Sequence, residues 1–174
     1  MHGIYVEENG IYQIDLSAAV EHMNDLNAKY QTIGGFLSDV DFIAETNDAI
    51  FLIEYKNTEI PNTQNPGAFR EKIKDEKFYD SVLKKYYCSV FYLLACKKTK
   101  PINFILIIES ESMDNIIRKK VWASIEKRLP YKLQKMPEIS LTLINDFKVL
   151  SIQEWNGQYP MFPLTMIKST DVAR

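Results

Sequence analysis

In two largely apolar stretches of the chain, 38–45 and 49–56, charged residues recur at even spacing, at 39, 41 and 45 and at 54 and 56, with a short polar segment between the stretches. Because side chains in a strand point alternately to opposite faces, this period of two predicts two β-strands joined by a turn. With residues 46–49 as the loop, Glu45 pairs with Ile50, and the rest of the register follows from that pair. The pattern therefore predicts a central β-hairpin.

The register of this hairpin brings charged side chains together on one face. Asp41 lies opposite Glu54, and Asp39 lies opposite Lys56, with the Cβ atoms of opposed residues about 5 Å apart. Two carboxylates at that distance repel each other, and one retains a proton unless a divalent cation lies between them. The hairpin therefore predicts a metal site. Asp39 stays an alternative to Asp41 as the first ligand, if the loop is two residues longer or the strand has a bulge.

The remaining patterns predict the elements around the hairpin. Alternating runs around Asn9-Gly10 predict an N-terminal hairpin, and helical spacing predicts a helix over residues 16–30, with His22 on its surface. After a loop at 57–68, the segment 69–96 predicts a helix, in one piece or two, although its apolar part 89–94 also fits a buried strand. The other predictions are a strand over 102–108 that is buried on both faces, a helix over 114–129, a strand over 139–144 and a turn at 155–157. This order predicts an α/β fold with a mixed central β-sheet flanked by α-helices.

Length and composition favour a single globular domain that spans residues 1–174, since 46% of the residues are hydrophobic. No apolar run reaches the roughly 18 residues that span a bilayer, and the chain does not open on a signal peptide. Cys88 and Cys96 lie too close together in a predicted helix to indicate a disulfide framework, which favours a reducing compartment. We therefore expect a cytoplasmic location and no membrane partner.

Charge is distributed unevenly along the chain, although the net charge is only −2. Residues 1–69 hold two basic and eleven acidic side chains, whereas residues 70–135 hold sixteen basic and eight acidic ones. This asymmetry fits a protein that binds a cation with one surface and a polyanion with another, and solvated helix faces are the alternative. The candidates for phosphate contacts are Arg70, Lys72, Lys74 and Lys77, followed by a second group of Arg118, Lys119, Lys120, Lys127 and Arg128.

Asp41 and Glu54-Tyr55-Lys56 form a recognisable pattern: one acid, then a hairpin turn, then acid-x-Lys. In this pattern the chain resembles the PD-(D/E)xK nucleases, the superfamily that contains the restriction endonucleases, although Val40 stands where the family has proline. The resemblance implies a restriction-endonuclease-like core over residues 16–110. Residues 1–15 would then be an added N-terminal hairpin, and residues 111–174 would add a helix and a strand at the C-terminal side.

The resemblance also implies roles for single residues. Asp41 and Glu54 would bind Mg²⁺ or Mn²⁺ with the Tyr55 backbone carbonyl as a third ligand, and Lys56 would position the attacking water. Glu21 on the predicted entry helix would be a further catalytic acid, with Asp25 as its competitor. Phosphodiester hydrolysis needs a nucleophile formed at neutral pH and a neutralised transition state, and Mg²⁺ supplies both.

These residues favour a metal-dependent nuclease that acts on nucleic acid, with DNA expected and a homodimer as an option. The alternative is a catalytically silent nucleic-acid or protein binding module with the same fold. Two other segments, 75–77 and 146–148, also fit acid-x-Lys, but the first lies in a helical pattern and the second lacks an upstream acid at a hairpin position. His2 and His22 are the only histidines, which disfavours a histidine-based metal site.

Overall fold

A five-stranded mixed β-sheet forms the centre of the computed structural model, which describes residues 3–57, 68–110 and 113–167. Its strands follow the order β3-β4-β5-β6-β7, in which β3, β4 and β5 are antiparallel and β5, β6 and β7 are parallel. The bounds are β3 (Glu21–Met23), β4 (Phe42–Glu45), β5 (Ile50–Asn57), β6 (Ile102–Glu109) and β7 (Asp146–Leu150). The predicted mixed α/β architecture is thus confirmed.

A second, three-stranded antiparallel sheet consists of β1 (Ile4–Val6), β2 (Tyr12–Asp15) and β8 (Leu164–Met166). The β1–β2 pair confirms the predicted N-terminal hairpin. Its turn is organised by Glu7, whose carboxylate accepts hydrogen bonds from the backbone of Asn9, Ile11 and Tyr12. An internal acceptor thereby satisfies backbone donors that the turn leaves unpaired.

Five α-helices accompany the sheets in the described residues: α1 (Leu26–Gln31), α2 (Ala68–Lys72), α3 (Glu76–Ala95), α4 (Asn115–Glu126) and α5 (Ile152–Gln158). Asp75 caps α3 by accepting from the backbone N of Lys77, and Asp114 caps α4 in the same way. The helix predicted over 69–96 therefore exists in two pieces, and the strand alternative for 89–94 is wrong. None of these helices is long and apolar enough to cross a membrane.

Both faces of the central sheet are covered. Side chains of alternate positions, such as Ile43, Leu52 and Phe104, pack against α1, α2, α3 and α4. The intervening positions, such as Ile53 and Ile105, pack against α5 and the small sheet. Strand β6 is consequently buried on both faces, as its continuous apolar run predicts.

The helix predicted over residues 16–30 is wrong. Residues 21–23 instead form β3, which pairs with β4, and only the six residues of α1 are helical. The backbone of Val20 donates to the carbonyl of Glu45, so sheet pairing takes the place of helical hydrogen bonds. His22 thus lies on a strand, where its Nδ1 is 2.6 Å from the Tyr5 hydroxyl.

Two further predictions near the C-terminal end are wrong. The strand expected over 139–144 lies at β7 instead, after a short 3₁₀ helix at Leu133–Lys135. The turn expected at 155–157 is part of α5, which Ser151 and Glu154 open with a capping box. Trp155 is completely buried, so packing of this helix on the sheet decides the local conformation.

Candidate active site

The hairpin of β4 and β5 has the predicted register, since Glu45 pairs with Ile50 and Phe42 pairs with Ile53. Continuing this register places Asp41, just before β4, opposite Glu54 of β5. One carboxylate oxygen of Asp41, Oδ2, accepts a hydrogen bond of 2.8 Å from the backbone N of Tyr55. The Asp41 carboxylate is therefore held against β5, with its other oxygen turned toward Glu54 and α3.

Lys85 of α3 joins the two carboxylates. Its Nζ lies 3.1 Å from Asp41 Oδ1 and 2.8 and 3.0 Å from the two Glu54 oxygens. Lys56 approaches Glu54 as well, with its Nζ 2.5 Å from Oε1. Asp41 and Glu54 thus converge on a single cation, and that cation is an ammonium group of the protein itself.

The sequence motif contains no sign of Lys85, because the residue comes from a helix 31 positions beyond Glu54. A different feature of the sequence, the position of Lys85 on its helix, does indicate a role for this residue. Lys85 lies three residues after Val82 and four before Ser89, both of which are buried. A lysine within the buried stripe of a helix needs a partner inside the protein, and a carboxylate on the facing strand supplies it.

Burial governs the protonation of this cluster. Burial raises the pKa of Glu54, which has no exposed surface, and the charge of Asp41 raises it further, while Lys56 and Lys85 act in the opposite direction. Burial lowers the pKa of Lys85, but the charges of Glu54 and Asp41 outweigh it and hold that pKa above its ordinary value. Lys85 is therefore cationic at neutral pH, and its charge compensates the buried acid.

A pocket of about 640 Å³ opens beside the cluster. It lies between the turn of the N-terminal hairpin, the start of α1, the segment before β4 and the end of β5. The described residues that line it include four acids and two lysines, namely Glu7, Glu8, Asp39, Asp41, Lys56 and Lys85. The Asp41 carboxylate is thus accessible from solvent through a pocket that carries a negative charge, whereas Glu54 is buried and is not among the described residues that line the pocket.

Asp39 also lines this pocket but has a different task. Its Oδ2 accepts a hydrogen bond of 2.8 Å from the backbone N of Asn27, in the first turn of α1. Burial raises the pKa of Asp39, and this hydrogen bond and the charge of Lys85 oppose that effect. Between the two acids that the sequence left open, Asp41 is the one in hydrogen-bond contact with the cation that Glu54 binds.

The donor set determines what the site can bind. Asp41 and Glu54 present carboxylate oxygens, whereas the Tyr55 side chain faces the opposite side of the sheet, where its ring packs against Tyr12. Only the backbone of Tyr55 can therefore contribute here. Among the described residues, no group of three or more histidine, cysteine, aspartate or glutamate side chains is arranged to hold a metal ion. Any cation would be held by two carboxylates and by backbone or water oxygens.

The structure does not bring Glu21 to this site. Its carboxylate pairs with Lys98, which also binds Glu45, and Lys100 binds Glu45 as well. Glu45 lies four residues from Asp41 along the same strand direction, about 13 Å away at the rise of a β-strand. Asp25, the competing candidate, pairs with Lys29 on the surface. Glu21 thus belongs to a separate ion-pair cluster at the other end of the hairpin.

This second cluster predicts a pH dependence of stability. Burial acts to raise the pKa of Glu45, but hydrogen bonds from Lys100 and Lys98 hold it below the ordinary value of 4.5. A lowered pKa in the folded state stabilises the fold above that ordinary value, and the contribution disappears as the pH falls through the folded pKa. We expect Glu45→Gln to lower the free energy of unfolding at pH 7 by about 1–2 kcal/mol. In urea unfolding series the difference should shrink as the pH falls below 4.5 and vanish once the pH is below the folded pKa, and a gap that stays constant throughout the acid range would contradict the assignment.

The two groups of basic residues proposed for phosphate contacts do not line the pocket in the described part of the chain; the first group is exposed, and Arg118 and Arg128 of the second are partly buried. The first group lies on α2 and at the start of α3, where Lys74 pairs with Glu71. In the second group, Arg118 pairs with Glu154, and Arg128 pairs with Glu76 and Asp80. The two other acid-x-Lys segments have structural roles, because Asp75 caps α3 and Lys148 contacts Asp146 within β7.

Comparisons of this chain with models of protein families, with curated proteins and with solved structures found no match.

Proposed function

We propose that this protein is a metal-dependent nuclease with a restriction-endonuclease-like core, in which Asp41 and Glu54 hold Mg²⁺ or Mn²⁺ and Lys56 assists the attacking water. The observation that carries the proposal is the convergence of both carboxylates on one cation at the wall of an open pocket. The order of an antiparallel hairpin, a helix and a parallel central strand supports the proposed core.

The donor set fits a hard divalent cation. Three of the four carboxylate oxygens of Asp41 and Glu54 lie within 3.1 Å of one point, the Nζ of Lys85. Carboxylate oxygens are the ligands that Mg²⁺ prefers, and Mg²⁺ commonly keeps several waters, so two carboxylates suffice. We assign the Tyr55 backbone carbonyl as the third protein ligand.

The charge of the pocket supports a metal-dependent reaction. Four acids and two lysines line it among the described residues, so an anionic substrate meets a net negative surface. Coulomb repulsion of this kind is strong near a protein interior, where the effective dielectric constant is low. A divalent cation at Asp41 and Glu54 would reverse the local charge and let a phosphodiester approach.

Each group of the chain has a distinct task in this proposal. The metal, when bound, supplies a hydroxide nucleophile at neutral pH and neutralises charge on the phosphate. Glu54 fixes the position of the site, because it is buried at the centre of the sheet, and Asp41 closes the site from the strand opposite. Lys56 is about one-third exposed at the pocket, so its ammonium can orient water and stabilise charge that develops on the phosphate.

The exposed basic residues Arg70, Lys72, Lys74 and Lys77 are the proposed contacts to the nucleic-acid backbone. Lys77 lies eight residues before Lys85 on α3, which corresponds to about 12 Å along the helix. Phosphates that flank a scissile bond fall within this range. Since DNA has two strands, a homodimer of this chain would supply one site for each strand.

Cleavage assays test the proposal. Single- and double-stranded DNA and RNA should be incubated with the protein and with Mg²⁺, Mn²⁺ or a chelator. We expect metal-dependent cleavage that falls at least about 100-fold in Asp41→Ala and in Lys56→Ala. Lys84→Ala is the matched control, because Lys84 is an exposed lysine of α3 outside the pocket lining. Cleavage that is undiminished in both site variants would refute the assignment.

A second candidate is a nucleic-acid or protein binding module that does not cleave. One observation favours it, namely that Lys56 and Lys85 together already balance the charge of the two carboxylates. Calorimetry with Mn²⁺ separates the two functions. Binding of nucleic acid without any binding of millimolar Mn²⁺, and without cleavage, would establish the binding module.

A further inference from the structure

Lys85 occupies the position that a metal ion would need. Its ammonium contacts Oδ1 of Asp41 and both oxygens of Glu54 at 2.8–3.1 Å. Mg²⁺ binds such oxygens at about 2.1 Å and places further ligands around itself in an octahedron. The ammonium and the metal therefore compete for the same place between the two carboxylates.

We propose that Lys85 is a resident cation that a divalent metal must displace from Asp41 and Glu54, so that this lysine sets the metal concentration at which the site fills. The inference rests on the proposed function, since it concerns the same carboxylates. It adds a regulatory role for a residue that belongs neither to the hairpin nor to the acid-x-Lys pattern.

The hydrogen bonds and side-chain length of the three groups indicate which of them moves most readily. Glu54 has no exposed surface and lies in β5, between β4 and β6. Asp41 is held by the backbone N of Tyr55. The side chain of Lys85 is 21% exposed, lines the pocket and carries its charge on a flexible four-carbon chain. Displacement therefore moves the lysine into the pocket while both carboxylates stay in place.

Displacement of Lys85 by a metal ion would also change the net charge that the cluster presents to an anion. Asp41 and Glu54 carry two negative charges, and Lys56 and Lys85 carry two positive ones, so the four groups are neutral together. Entry of a divalent cation raises their sum to about +2 while Lys85 remains in the pocket. The site attracts a phosphate group once metal has entered, which couples metal binding to anion binding.

Mn²⁺ binding to the substrate-free protein tests the proposal. The free Mn²⁺ signal in electron paramagnetic resonance gives the dissociation constant for the wild-type protein, Lys85→Met, Lys85→Arg and Lys84→Met. Removal of the competing charge should lower the Mn²⁺ dissociation constant of Lys85→Met at least about ten-fold. Lys85→Arg retains the charge. Lys84→Met removes a neighbouring charge that lies over Phe36, outside the site. The Mn²⁺ dissociation constants of both variants should therefore stay close to that of the wild type. Equal Mn²⁺ affinities of folded Lys85→Met and wild type would overturn the inference.

A second measurement covers the case in which Lys85→Met does not fold without metal. With ¹³C-labelled lysine, the Cε resonance of Lys85 is identified by its loss in Lys85→Arg. Mg²⁺ titration of the wild-type protein should shift this resonance in a saturable manner and leave that of Lys84 unchanged. A Lys85 resonance that stays in place throughout the titration would overturn the inference.

The outcomes distinguish this inference from the proposed function. Wild-type cleavage together with unchanged Mn²⁺ affinity in Lys85→Met would leave the nuclease standing and remove the role of Lys85. Tighter Mn²⁺ binding in Lys85→Met without cleavage by any form would support the competition and refute the nuclease.

Discussion

Glu54→Gln should reduce metal-dependent cleavage by about three orders of magnitude, equivalent to about 4 kcal/mol of transition-state stabilisation. The amide has nearly the volume of the carboxylate but lacks the negative charge that a divalent cation requires. Since Glu54 contacts both Lys56 and Lys85, the substitution also removes the one carboxylate that these two lysines share, and Lys85 keeps Asp41. Charge, rather than shape, is the property removed.

The variant should remain folded, which makes the loss interpretable. The glutamine oxygen can still accept a hydrogen bond from one lysine, and a neutral side chain is easier to bury than an ionised one. We expect the free energy of unfolding to fall by about 2 kcal/mol or less, as measured by urea titration. Glu54→Ala would remove the acceptor as well and is therefore a less specific variant.

The hairpin offers a matched control for this experiment. Glu45 is also a buried glutamate that binds two lysines, Lys98 and Lys100, but it lies at the other end of the same pair of strands. Glu45→Gln should leave cleavage unchanged. Equal losses in both variants would mean that the effect arises from destabilised strands, and undiminished cleavage in Glu54→Gln would contradict the proposed role.

The comparison of the two glutamates shows which parts of the site a sequence can predict. The register of the β4–β5 hairpin follows from the short polar loop at residues 46–49, which pairs Glu45 with Ile50 and fixes every pair after it. That register was enough to place Asp41 opposite Glu54. Strand β6 was predictable for a related reason, because an uninterrupted apolar run fits a strand covered on both sides.

Other parts depend on contacts between distant segments. Residues 16–30 have apolar positions at helical spacing, but the chain there pairs with β4, and Val20 is exposed although the spacing would bury it. The spacing of apolar residues within a segment cannot show that the edge of β4 is free to pair with that segment. The same limit applies to Lys85, whose place at the site depends on how α3 packs across the hairpin. The conformation of residues 16–30 and the position of Lys85 are both decided by strand pairing and helix packing between residues that are far apart in the sequence.

Trp155→Ala should cause the largest loss of stability among the variants considered, about 3–5 kcal/mol in the free energy of unfolding. The indole is completely buried against the face of the sheet that includes Ile105 and Ile107. Its Nε1 donates a hydrogen bond of 2.7 Å to the carbonyl of Phe162. Removing the ring leaves a cavity between α5 and the sheet and an unpaired carbonyl beside it, and both effects destabilise the fold.

The second tryptophan supplies the control, because the chain has two. Trp122 of α4 is 42% exposed, and its Nε1 donates a hydrogen bond of 3.1 Å to the carbonyl of Phe147. Trp122→Ala therefore removes a comparable hydrogen bond but far less buried surface, and we expect it to cost about 1–2 kcal/mol. Urea unfolding followed by circular dichroism measures both variants without relying on the altered fluorophores. Equal losses would show that α5 does not anchor the sheet, because the difference between the variants depends on the burial of Trp155.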